Sequence, residues 1–499
     1  MTMKKIISLI VSAMAGAFLS ADLSAEIRMS ALFTDNMVLQ QKVLAPVWGT
    51  AAPGKVVTVK PSWSKHEYKA TAGNDGRWML EIDTPKAGGP HSVTVMENGG
   101  NTVIINNVMV GEVWLCSGQS NMEMPVKGWG KVMNYEQELQ EAASYPEIRL
   151  LEVQRNVSPQ PVDDFKADAD GWMVCSPETL AEFSATAYFF GRELNRELKV
   201  PVGLINTSWG GTIIEAWISR GALAGVKDLE KEADEVAAWP LKAEDGTPAK
   251  YSDPNWSTVL YNTMIAPLVP YAIKGAIWYQ GCSNVDRAYQ YRDLMTIMIE
   301  DWRKAWGYDF PFYITQLANY QQRQMLPGDS SWAELREAQD IAANVTANTG
   351  MAVTIDIGEA DDIHPKNKQE VGRRLALQAM NSTYGRKVIC DGPVYDGYEI
   401  SGNTITLKFR SAGKGLVAKD GKLEGFAIAG ADRQFHWADA RIAGNTVVVT
   451  CKDVERPLAV RYAWGDNPLG NLYNSAGLPA CPFRTDDWPG WTIGKTSRR

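Results

Sequence analysis

The chain has 499 residues, 45% of them apolar and 22% charged, with a formal net charge of -8. That length suits about three domains, the composition excludes a disordered or fibrous chain, and the acidic balance excludes the basic footprint of a nucleic-acid binder. The 18 Trp serve mostly as core, yet exposed indoles also stack on sugar rings, which favours a carbohydrate ligand.

Residues 1–25 read as a secretory signal. Lys4 and Lys5 supply the positive start, Ile6 to Leu19 a short apolar stretch, and Ser20, Ala21, Ser24 and Ala25 the small residues after it. The apolar stretch is too short to span a membrane comfortably, and nothing later comes close. The expectation is an exported protein, periplasmic or extracellular, without stable membrane insertion.

Residues 26–107 read as a β module. "KVVTVKPSW", "GRWMLEI" and "HSVTVMEN" alternate apolar with polar side chains and are separated by Gly-, Pro- and Asn-rich turns. Residues 391–499 repeat that style in "GYEISGNTITLKF", "GNTVVVTC" and "LAVRYAW". Both flanks are expected to be small and β-sandwich-like.

Residues 108–390 differ. "VMVGEVWLC", "VPVGLIN", "AIKGAIWY", "FPFYITQLA" and "MAVTIDI" are apolar without alternation, as in strands buried on both faces of a parallel sheet. Helical segments lie between them. In "YQYRDLMTIMIEDWRKAWG", Tyr291, Leu294, Met298 and Trp302 share one face and Gly307 closes the end. "ETLAEFSATAYFFGRELNREL" reads as another helix, and "KNKQEVGRRLALQAM" as a third. The fold class is therefore α/β.

In open α/β sheets, ligands bind at the carboxyl edge of the strands. The turn after each strand is therefore informative. The first strand delivers Gly118-Gln119-Ser120-Asn121, the second Trp209-Gly210-Gly211-Thr212, the third Gln280-Gly281-Cys282-Ser283-Asn284, and the last Asp361-Asp362-Ile363-His364-Pro365. Acyl transfer needs a nucleophile, a base, a group that orients the base, and donors for an oxyanion. Ser120 can be the nucleophile. His66, His91 and His436 lie in the flanks, so His364 is the base available at this edge. Its carboxylate neighbours are expected to raise its pKa. Oxyanion donors can be the Ser120 N–H, an N–H of Gly210 or Gly211, and the Asn284 amide. Asn121 either contributes to that set or bonds its own turn and fixes Ser120.

Six cysteines, at positions 116, 175, 282, 390, 451 and 481, are too few for a disulfide scaffold. None stands at zinc-ligand spacing, and neither a metal nor another cofactor is expected. Nothing beside Cys282 in sequence lowers its pKa, so a thiol nucleophile is the poorer alternative. The Gly-x-Ser-x-Gly elbow is absent, since Met122 fills its last position.

"SGQSNMEMPV", "NTSWGGTIIEAW", "WYQGCSN" and "DIHPKNKQEVGRRLA" resemble, in order, the blocks of the sialate O-acetylesterase family within the SGNH hydrolases. The resemblance implies a flavodoxin-like parallel sheet with helices on both faces, flanked by the two β modules. It also implies Ser120 as nucleophile, His364 as base, and Ser120, Gly210 or Gly211, and Asn284 at the oxyanion, with Gln280 and Asn121 beside them. The general pattern puts the acid at Asp361; many members of this branch put it at Asp362, which is preferred here, and a Ser-His dyad stays open. Where the family often has Gln-Gly-Glu, this chain has Cys282, so any role of that carboxylate is absent or supplied elsewhere, for example by Glu123 or Glu215. The implied activity is removal of O-acetyl groups from carbohydrates, sialic acids first, with acetylxylan or another glycan as the alternative. A carbohydrate-binding protein on a decayed scaffold would have lost a catalytic residue, and none is missing.

Overall fold

The computed structural model describes residues 26–496; residues 1–25, which carry the signal reading, lie outside the described residues, as do 497–499. Among the described residues, seven strands carry the centre of the molecule: β1 (Thr102–Gly118), β2 (Ile148–Glu152), β3 (Met173–Val174), β4 (Val202–Ser208), β5 (Gly275–Tyr279), β6 (Phe312–Thr315) and β7 (Thr349–Ala352). They lie side by side in the order β3-β2-β4-β1-β5-β6-β7. All neighbours from β2 to β7 pair in parallel. β4, β5 and β6 are buried at every position, which is why their sequences show no polar alternation.

The sheet is mixed, which corrects the expectation of a parallel one. β3 runs antiparallel to β2. It has two residues at the sheet edge, where antiparallel addition needs no long crossover. β1 is the second cause. Its first half alternates and pairs antiparallel with Gly88–Glu97, and from Val108 onward it is continuously buried. One strand thus runs through residue 107 without a break and belongs to both the N-terminal β region and the central sheet. Buried side chains from Ile27 to Met380 accordingly form one cluster, and a second spans Ile405 to Phe483 with Ile355.

The helices that matter for the site are α1 (Ser120–Glu123), α2 (Ala185–Leu198), α3 (Ala288–Trp306), α4 (Ser331–Val345) and α5 (Lys368–Gln378). α2 packs on α5, and α3 on α4. The apolar stripe of α3 is buried as the spacing requires, and Gly307 ends it in the left-handed region at φ +80°. The stretch read as one helix from Glu178 is two: it breaks at Ser184, whose hydroxyl accepts the Ala187 N–H at 3.1 Å and starts α2 afresh. Much of the tryptophan content is core. Trp217, Trp278 and Trp302 are fully buried in a run of edge-to-face contacts at 5.9 and 5.7 Å.

The C-terminal β region is bound to α4. Arg336, 0% exposed, donates to the carbonyls of Leu317, Ala318, Gly465 and Asp466 at 2.7–2.9 Å. Four carbonyls from two distant segments converge on one guanidinium; removing it leaves those of Leu317 and Gly465 without this donor in a dry interior, while Ala318 keeps the Trp332 indole N–H and Asp466 the Tyr320 N–H. Arg336→Met is therefore expected to cost about 3 kcal/mol or more, read as a lowered urea midpoint; an unchanged midpoint would refute this account of how the region is held.

Candidate active site

β1 stops at Gly118, which has φ +143° and lies against β5: a Cβ there would come within 2.3 Å of the Tyr279 carbonyl oxygen. Only glycine allows that approach and that backbone angle. The chain then turns through Gln119, and Ser120 opens α1, partly exposed. Two neighbouring strand ends are tied to this turn. The Gln119 Oε1 accepts the Gly281 N–H at 2.9 Å, and the Gly118 carbonyl accepts the Trp209 N–H at 3.0 Å. A Cβ on Gly210 would sit 3.1 Å from the Ser120 Cβ, so the second glycine-containing turn lies directly over the serine.

His364 arrives on the long loop between β7 and α5. Its Nδ1 is 3.4 Å from Asp362 Oδ1, and its backbone N–H donates to the same oxygen at 2.9 Å. The side-chain contact is longer than the ~2.9 Å of a strong N–H···O bond. Asp361 faces elsewhere, accepting from Gln322 Nε2 at 2.9 Å. Of the two carboxylates, Asp362 is the one at His364. The loop is held from two sides. Asn319 Oδ1 takes the Gly358 N–H at 2.7 Å and the Ala360 carbonyl takes the Gln321 N–H at 3.1 Å, while Asn121 Nδ2 donates to the Ile363 carbonyl at 2.9 Å. Asn121 thus bonds the histidine loop rather than its own turn, and it joins the residue after Ser120 to the residue before His364.

The expected rise in the His364 pKa is corrected. Burial lowers it, the Lys368 ammonium lowers it further, and the opposing pull of Asp362 does not win. The environment therefore favours the unprotonated imidazole.

The expected oxyanion donors are placed unequally. The Gly210 N–H is engaged by Glu123 Oε2 at 2.5 Å, and Glu123 also pairs with Arg155. Gly211 comes next at φ +77°. Asn284 is fully buried: its Oδ1 accepts from Gln280 Nε2 at 2.8 Å and Ile214 N–H at 3.1 Å, and one Nδ2 hydrogen goes to Glu215 Oε2 at 3.0 Å. Glu215 in turn is paired with Arg287 at 3.0 Å. Gln280 is itself fully buried, and its Nε2 also donates to the Thr212 carbonyl, so it orients the Asn284 amide. Asn121 is 2% exposed, and its Oδ1 and Nδ2 both bridge to the chain around His364. The two carboxylates suggested as substitutes for the missing Glu are both present, Glu123 on the Gly210 turn and Glu215 on Asn284. Burial pushes the Cys282 thiol up to about 12, which makes it a poor nucleophile at neutral pH.

Three residues near the site carry no expectation from the sequence. Trp129 is 51% exposed and meets the His364 ring edge-on at 5.0 Å. Arg155 reaches Glu123 from a loop 32 residues later in the chain. Lys368, buried at the first position of α5, donates to Asn121 Oδ1 at 2.5 Å. Only Lys368 had a signal, because it lies inside the block around His364.

The family described as carbohydrate esterase, sialic acid-specific acetylesterase matches residues 110–381. The sialate O-acetylesterase of Mus musculus is 32% identical, over 91% of this chain and 93% of the mouse protein. That of Homo sapiens is 32% identical, over 94% of this chain and 95% of the human protein. The crystal structure of a carbohydrate acetylesterase from Xanthomonas citri superposes with a TM-score of 0.81 at 36% identity, covering 93% of this chain and 100% of that one. A family match that covers more than half the chain, relatives similar over nearly their whole length, and a serine and a histidine tied together at one sheet edge lead to one conclusion: this chain belongs to the sialic acid-specific acetylesterase family of carbohydrate esterases.

Proposed function

We propose that the protein is a serine esterase that removes O-acetyl groups from carbohydrates, with O-acetylated sialic acids as substrates. It is exported, and residues 108–390 form an SGNH-type unit between β modules at 26–107 and 391–499. Ser120 Oγ attacks the acetyl carbonyl while His364 takes its proton, and Asp362 holds the imidazole and stabilises the cation formed. The oxyanion is received by the Ser120 N–H and the second Nδ2 hydrogen of Asn284, with Gly210 joining once Glu123 releases its N–H. Sugar hydroxyl leaves with a proton from His364, and water then releases acetate by the same route. The observation that carries this reading is the Asn121–Ile363 bond, which holds the serine turn and the histidine loop at a fixed spacing.

Ser120→Ala is expected to remove acetate release by several orders of magnitude with the fold intact. The assay is acetate liberated from O-acetylated sialic acid and, in parallel, from acetylated xylan. Near-normal turnover in the folded variant would end the serine mechanism, and turnover of xylan alone would assign the other glycan.

Because burial and Lys368 both disfavour the His364 cation, kcat/KM should rise with pH through a midpoint below the ordinary 6.5 of histidine and then level off. Asp362→Asn removes the one influence that favours the cation, so its midpoint should fall further as kcat drops. Asp361→Asn, whose side chain meets Gln322, should change neither much. The reverse order of losses would hand the acid role to Asp361, and equal small losses would indicate a dyad.

The serine, histidine and amide groups make a complete acyl-transfer set, so chelator should leave the rate unchanged. Loss of activity on chelation with recovery on added zinc would overturn the mechanism.

A further inference from the structure

Lys368 is an expensive residue where it stands. It is 0% exposed, and its ammonium touches no carboxylate among the described residues; Asp362 and Glu359 act on it only from further away. It occupies the first position of α5, the positive end of a helix dipole. Burying a cation without a paired anion is costly, and a Met or Leu of similar volume would fill the space without that cost. Its contacts indicate what the cost supports. Lys368 Nζ donates to Asn121 Oδ1 at 2.5 Å and lies 5.5 Å from the centre of the Tyr279 ring. With that oxygen held by an ammonium, the Asn121 amide has one orientation, and its Nδ2 must point at the Ile363 carbonyl.

We propose that Lys368 is a positioning residue of the esterase reaction: its buried ammonium locks the Asn121 amide as a strut that sets the distance between the Ser120 turn and the His364 loop. The proposal rests on the reading of Ser120 and His364 as nucleophile and base. Charge adds a second consequence. Lys368 is buried and close enough to act on His364, and a cation there keeps the imidazole in its basic form at the pH where it must accept a proton. The groups facing this pair are Asp362 and Glu359 from the histidine loop, Cys282 from the turn after β5, and the Tyr279 ring; of these, Asp362 and Glu359 favour the cations and Cys282 is protonated. Burial brings the Lys368 ammonium itself down to about 7, and above that pH the neutral amine still donates to Asn121 Oδ1, so the strut outlasts the charge.

The test uses the full chain and p-nitrophenyl acetate, an ester that needs no sugar contacts. Lys368→Met keeps the length and removes the charge and the donor. It should lower kcat at least tenfold, leave KM within about threefold, and raise the midpoint of the acid limb of kcat/KM. Asn121→Asp keeps an acceptor for Lys368 but sets a carboxylate against the Ile363 carbonyl, and should show the same kcat loss with KM held. If the two residues act as one strut, the double variant should lose no more than about twofold beyond the worse single. Additive losses, or wild-type kcat and pH midpoint in a folded Lys368→Met protein, would overturn the proposal. If Lys368→Met does not fold, Asn121→Asp decides, and full activity there refutes the strut. Ser120→Ala separates the two levels: an inactive Ser120→Ala beside fully active Lys368→Met and Asn121→Asp leaves the esterase reading standing and removes only this inference.

Discussion

The carboxyl half of β1 is clasped in parallel by β4 and β5, and most of the site depends on that pairing. Its register sets Gly118 beside Ser208 on one side and Tyr279 on the other, so the three strands end at one level. Their turns then leave together, joined by single hydrogen bonds from the Gly281 N–H to Gln119 and from the Trp209 N–H to the Gly118 carbonyl. A slip of one residue would turn every side chain of a strand to the opposite face, and with both faces buried no such slip is tolerated. The close contact at Gly118 completes the constraint, since any side chain there would strike the Tyr279 carbonyl.

Beyond the strand ends, the site is held by amides and charges, not by apolar packing. Gln119 binds the Gly281 turn, Asn121 the histidine loop, and Gln280 the Asn284 amide, which Glu215 and Arg287 support from behind. Buried amides of this kind have one low-energy orientation, because rotating one sets oxygen against oxygen and N–H against N–H in a low-dielectric interior. That rigidity suits a reaction whose oxyanion must meet donors already in place. At Gly210 the backbone N–H is engaged by the Glu123 carboxylate, so that turn too is held by charge.

The C-terminal region also takes part in setting the site. Arg336 anchors residues 465 and 466 to α4, and Asn467 meets Asn319, whose oxygen holds Gly358 at the start of the histidine loop. The position of His364 thus depends on a segment more than a hundred residues later. The energy for this linkage comes from hydrogen bonds among buried carbonyls and amides, each expensive to leave unmade.

The residues alone determined the α/β class, the buried strands and the α3 helix, and they singled out Ser120, Gly210 or Gly211, Asn284 and His364 as candidates, because periodicity, glycine turns and the scarcity of histidine are local properties of the sequence. They did not determine that Asn121 would reach the histidine loop, that Gln280 would be buried behind Asn284, or that Asp362 rather than Asp361 would face the imidazole. Nor could they give the sign of the His364 shift: the adjacent carboxylate is visible in sequence, whereas the burial and the Lys368 ammonium that outweigh it arise only on folding. Partners distant along the chain, and the dielectric they create around a titrating group, exist only once the tertiary structure has brought them together.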